Sequence, residues 1–105
     1  MPPWVKRQIE WTLEARASVA LLRDRGHGDV AVAATEALER FAATGKSELA
    51  VFAHFRSGPW RGYSRLKEPA ARDGWRIIFL DYPARRRIVV QRVRLRPDAY
   101  LDPSA

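Results

Sequence analysis

Two apolar runs separated by four residues constrain this chain most. Trp75-Arg76-Ile77-Ile78-Phe79-Leu80-Asp81-Tyr82 and Arg87-Ile88-Val89-Val90-Gln91-Arg92-Val93-Arg94-Leu95 flank the segment Pro83 to Arg86. β-branched and aromatic residues fill both runs, and Pro83 lacks the N–H a strand needs. The pair therefore predicts two antiparallel strands joined by a turn. A lone hairpin is marginal in water, so the rest of the chain has to cover it. Just upstream, Ser57-Gly58-Pro59 marks a turn, residues 60–67 predict a third strand, and Glu68 to Gly74, with Pro69, Asp73 and Gly74, reads as a hairpin loop. Glu48 to Phe55 is compatible with strand or helix.

The first half has a different period. Gln8 to Glu14 alternates polar and apolar, the pattern of a half-buried strand. Ala15 to Arg25 has neither Gly nor Pro and predicts a helix, which Gly26-His27-Gly28 breaks. Asp29 is placed to cap a second helix, in which Val30, Ala34, Ala37, Leu38 and Phe41 form one apolar stripe. Thr44-Gly45 ends it. The expected fold class is α+β: an N-terminal strand and helical hairpin packed on an antiparallel β-meander, in one domain spanning residues 1–105.

The chain has 105 residues, 47% of them apolar, and includes four Trp, four Phe and three Tyr, which suffice for one modest core. The absence of Cys excludes disulfides and thiolate metal sites. No apolar run approaches the ~18 residues of a membrane span, and Met1-Pro2-Pro3-Trp4-Val5-Lys6 lacks a signal-peptide core, so a cytoplasmic location is expected. The net charge of +7 is unevenly spread. Residues 1–55 carry seven Lys/Arg and seven Asp/Glu, whereas residues 56–100 carry twelve and four. A neutral half followed by a basic half suggests a scaffold with a polyanion-binding face.

Strand parity locates that face. On an unbroken strand Val89, Val93 and Leu95 point one way, and Arg92, Arg94 and Arg96 the other. Arg65 and Lys67 also share a face, and Arg76 opens the central strand. A meander would bring Arg65, Lys67, Arg76, Arg94 and Arg96 to one surface, with Tyr100 four residues beyond Arg96. Arginines in such a cluster can grip phosphate bidentately, and a neighbouring aromatic can stack on a base. The competing reading is a solvated sheet edge whose cations block aggregation.

The order of these pieces resembles the RelE/ParE toxin superfamily. The resemblance is carried by Gly74-Trp75-Arg76-Ile77-Ile78-Phe79, by the Val-rich strand ending Arg92-Val93-Arg94, and by Arg96-Pro97-Asp98-Ala99-Tyr100. Trp11-Thr12-Leu13 before Ala15 and Phe55-Arg56-Ser57-Gly58 agree with it, so that it spans roughly residues 8–100. Two stretches depart from compact members: the 68–73 loop is longer, and residues 46–54 read as an insertion.

The resemblance implies a ribosome-dependent endoribonuclease that cuts mRNA without metal or cofactor by attack of a 2′-hydroxyl on the adjacent phosphate. It assigns catalytic roles to Lys67, Arg76, Arg94 and Tyr100 and RNA-binding roles to Arg65, Arg92 and Arg96. Lys67, or Arg65, stands beside the 2′-hydroxyl, Arg76 stabilises the phosphorane charge, Arg94 donates to the leaving 5′-oxygen, and Tyr100 stacks on or orients the nucleotide. It also implies an acidic antitoxin protein as partner, besides mRNA and the ribosome. The alternatives are a ParE-like gyrase inhibitor and a non-catalytic RNA-binding domain. His27 and His54 read as turn and strand residues, Trp60 and Trp75 as packing residues, and Glu68 as a loop acid.

Overall fold

In a computed structural model, residues 4–46, 51–68, 74–96 and 99 are described. Strand β1 (Gln8–Trp11) leads into helices α1 (Leu13–Asp24) and α2 (Gly28–Thr44), followed by strands β2 (Val51–His54), β3 (Ser64–Lys67), β4 (Trp75–Tyr82) and β5 (Arg87–Leu95). A 3₁₀ turn at Pro83–Arg85 joins β4 to β5, and Arg86, in the left-handed region with φ 51°, closes it. The five-stranded sheet has the order β1-β5-β4-β3-β2. The meander from β2 to β5 is antiparallel, as expected, but β1 adds to β5 in parallel, so the whole sheet is mixed. The fold class is α+β.

Local chemistry explains the helix boundaries. The Thr12 hydroxyl accepts the Ala15 N–H at 3.0 Å and donates to the Val90 carbonyl at 2.8 Å, capping α1 and tying it to β5 with one side chain. The second helix starts two residues earlier than the Asp29 cap predicts. His27 is its N-cap and makes no side-chain cap bond, and Asp29 lies in the first turn, where negative charge suits the helix dipole. Both helices cover one sheet face. Leu22, Ala34, Leu38 and Phe41 pack there on Leu66, Trp75, Ile77, Phe79, Ile88, Val90 and Val93.

The core contacts of β5 change parity midway. Ile88 and Val90 face the helices, and so does Val93. The cause is a β-bulge: Ile78 pairs with Arg92 but Phe79 pairs with Val90, leaving Gln91 as an extra residue. The expectation that Val89 shares a face with Val93 is therefore corrected, because side chains before and after Gln91 follow opposite alternations. The outer edge of β5 is managed in two ways. β1 pairs with Arg87 to Val90, and beyond its end the Ser18 hydroxyl of α1 accepts the Val93 N–H at 3.0 Å.

The strand expected over residues 60–67 is shorter, because the chain from Phe55 to Tyr63 is a compact turn. Gly58 and Gly62 take φ of 79° and 90°, closed to ordinary strand residues, and Phe55 exchanges backbone hydrogen bonds with Gly62 and Tyr63. Residues 51–54, ambiguous by pattern, form the edge strand.

Gly45 ends α2 with φ 71° under the Trp4 indole, which donates to the Ala42 carbonyl at 3.0 Å and meets Phe41 edge-on at 5.5 Å. A Cβ on Gly45 would fall 2.5 Å from the indole carbons. Gly45→Ala is expected to destabilise the fold by about 1–3 kcal/mol, combining left-handed strain with the displaced ring. Urea unfolding checks this, and an unchanged midpoint would contradict it.

Candidate functional site

On the sheet face away from the helices, register places the basic residues side by side. Lys67 pairs with Arg76, and Arg76 with Arg94. These three residues therefore form a row across β3, β4 and β5, with neighbouring strands about 4.8 Å apart. In the next row Arg65 pairs with Ile78, and Ile78 with Arg92. The bulge makes this possible: Arg92 and Arg94 could not face the same way as Arg76 if β5 kept the alternation of Ile88 and Val90.

The cations differ in what they can reach. Lys67, Arg65 and Arg94 are half-buried and Arg96 is exposed. Arg76 is 4% exposed, and its Nη1 donates to the carbonyls of Gly74 and Trp75 at 3.1 and 3.0 Å. This anchors the guanidinium at the centre of the row. The Arg96 backbone N–H donates to Gly74 O at 3.2 Å, continuing the β4–β5 pairing by one residue. Tyr100 lies outside the described residues.

Arg92 was expected to touch RNA. It stands in the right register but is 0% exposed, with Nη2 on a Glu14 carboxylate oxygen at 2.7 Å and its guanidinium 4.9 Å from the centre of the Trp60 ring. Glu14 and the Trp60 ring enclose it. Trp60, as expected, is a packing residue, but it comes from the β2–β3 turn and its ring meets Tyr63 edge-on at 5.1 Å. His54 likewise has a local partner, the Ser64 hydroxyl at 3.1 Å.

Sequence reading missed Glu14. It begins α1 beside the edge of β5 and bonds both Arg92 and the side-chain amide of the bulged Gln91. Burial would raise its pKa. The hydrogen bonds from Arg92 and Gln91, with the charges of Arg92 and Arg94, outweigh that and hold the carboxyl below its usual range. The one available signal was the clash of parities in β5, apolar at 88 and 90 but also at 93 and 95, which no unbroken strand satisfies.

A depressed carboxylate pKa has a definite sign. The folded state binds this proton less readily than the unfolded chain, so the stabilisation is complete above the unfolded value of about 4.3 and disappears as pH falls through the lower folded value. Glu14→Gln removes that dependence. Its urea midpoint is expected to fall less than the wild-type midpoint between pH 6 and pH 3. Parallel curves would show that the ion pair contributes nothing.

Among the described residues no group of three or more His, Cys, Asp or Glu could hold a metal ion, and no helix is long and apolar enough to cross a membrane. No model of a protein family matches the sequence, and neither does any curated protein. Solved structures do match. The toxin–antitoxin complex RelBE2 from Mycobacterium tuberculosis contains a chain that superposes with a TM-score of 0.60 at 18% identity, over 88% of this chain and 100% of that one. YafQ from Escherichia coli strain BL21(DE3) superposes with a TM-score of 0.64 at 16% identity, over 89% and 97%. This is a RelE-like fold. Two helices on a five-stranded mixed sheet match those folds, and the basic row of this chain lies on the sheet face the helices leave uncovered.

Proposed function

We propose that this chain is the toxin of a toxin–antitoxin pair and that it cleaves mRNA on the ribosome. The observation that carries the reading is the row Lys67, Arg76, Arg94, set on three adjacent strands of a RelE-like sheet. In the proposed reaction the 2′-hydroxyl gives its proton to Lys67 and its oxygen attacks phosphorus. The bond to the 5′-oxygen breaks, leaving a 2′,3′-cyclic phosphate, and Arg94 donates to the departing oxygen. Arg76 stands between them, where charge develops on the non-bridging oxygens. Arg65 and Arg96 hold the flanking backbone, and Tyr100 stacks on a base. The excess of positive charge over residues 56–100 suits an acidic antitoxin, which would neutralise the same face.

Primer extension on mRNA bound to programmed ribosomes tests this, with free RNA, and supercoiled DNA plus gyrase, as parallel substrates. Cuts that need the ribosome support the reading. Gyrase-dependent DNA breaks with intact mRNA would replace it with a gyrase inhibitor, and inactivity on all three substrates would leave an RNA-binding domain. In the same assay Tyr100→Ala is expected to lose roughly ten- to a hundredfold in rate, the worth of one stacked base at about 1–3 kcal/mol. Tyr100→Phe should keep most of the rate if the ring does the work; a loss as deep as that of Ala would move the role to the hydroxyl.

A further inference from the structure

Where β1 ends, α1 runs along the edge of β5 and leaves a cavity of about 300 Å³ between its C-terminal half and the strand's last residues. Leu21, Leu22 and Leu95 supply apolar wall, and Arg25, His27 and Arg94 supply nitrogen. Among the described residues no carboxylate lines it. Ser18, also at its wall, is already committed, donating to the Ala15 carbonyl at 2.7 Å and accepting from Val93. Arg94 belongs both to this cavity and to the row on the sheet face, so the two are continuous at the β5 edge.

We infer that this cavity is a nucleotide subsite, taking the residue of a single-stranded RNA next to the one held by Lys67, Arg76 and Arg94. The inference deepens the nuclease reading and rests on it for the identity of the chain that enters. Arg94 at the junction faces two adjoining phosphates of one strand. Arg25 takes the second phosphate from the helix side, and the nucleoside lies against Leu21, which is 43% exposed, and Leu95. Leucine surface is an ordinary partner for a base face, and a guanidinium fork for a phosphate. An acidic peptide helix would need a longer groove with anchors at successive turns. This recess is confined, which favours one nucleotide.

The test uses adenosine 3′,5′-bisphosphate as probe and the leucine methyl signals of the intact protein as readout. Expected are shifts confined to Leu21, Leu22 and Leu95, with affinity weakened roughly tenfold in Arg25→Glu, the worth of one charge-assisted contact. Arg25 is exposed and caps α1 only through its backbone, so this variant is expected to fold; Leu21→Asp is a second one. In ribosome-dependent cleavage both variants should raise KM and leave kcat nearly unchanged. No shifts at these methyls, or equal affinity in wild type and Arg25→Glu, overturns the subsite. So does displacement of the probe by a Glu-rich peptide at lower concentration, which would make the recess a protein-docking site. If wild-type protein cleaves nothing while the bisphosphate still binds here through Arg25, the nucleotide site stands and the nuclease reading falls.

Discussion

Cells induced to make this protein without a partner are expected to stop growing, and Arg76→Ala is expected to let them form colonies. Arg76 is the central member of the row, and its guanidinium is held by the Gly74 and Trp75 carbonyls. A preorganised donor aimed at developing charge is typically worth about 10²–10³ in rate, so cleavage should drop by that factor. Because the same substitution releases two carbonyls, the folded fraction has to be measured beside the activity. Arg76→Lys separates the effects, since it keeps the charge but loses the planar fork, and should remain strongly impaired while folded. Equal toxicity of wild type and Arg76→Ala, at equal abundance by blot, would remove this residue from the mechanism.

The largest expected loss of stability comes from Glu14→Ala. It strips the carboxylate from an arginine that is fully enclosed, and removing one partner of a buried pair typically costs about 3–5 kcal/mol. Glu14 itself is partly exposed, so about 2–3 kcal/mol is the expected figure, which lowers the melting temperature by roughly 10–20 °C in a chain of this size. Adding Arg92→Met should restore much of the loss, because a flexible apolar side chain fits between Trp60 and the strand without a charge to neutralise. A double variant no more stable than Glu14→Ala would mean that the arginine is held by packing and not by its counter-ion.

The two long strands were legible to the residue, Trp75 to Tyr82 and Arg87 to Leu95, because dense β-branched sequence between Gly74 and Pro83, and beyond it, leaves little choice. The neighbours Lys67, Arg76 and Arg94 were legible for a related reason: short turns fix meander order, and alternation then fixes the face. Three features were not. The parallel docking of β1 on β5 joins residues nearly eighty positions apart and has no local signature. Arg92 reads as a surface cation until Glu14, 78 residues away, and Trp60 enclose it. Trp60 and Tyr63 favour a strand by residue type, yet the glycines at 58 and 62 curl that stretch away from the sheet. Chain-distant pairing and backbone sign, not hydrophobic pattern, decided each case.

The extra residue at Gln91 also governs what kinds of genetic change β5 can absorb. Point substitutions at 94 or 96 alter the charged side without disturbing the packed one, whereas Arg92 is enclosed by Glu14 and Trp60. Loss of the codon for Gln91 removes the extra residue and restores strict alternation with Arg92 and Arg94 still on the charged side and Val93 still on the packed one. The length of β5 can therefore change by one residue at the bulge without exchanging its two faces. An alignment that opens a one-residue gap there keeps residues of the same side of the sheet together.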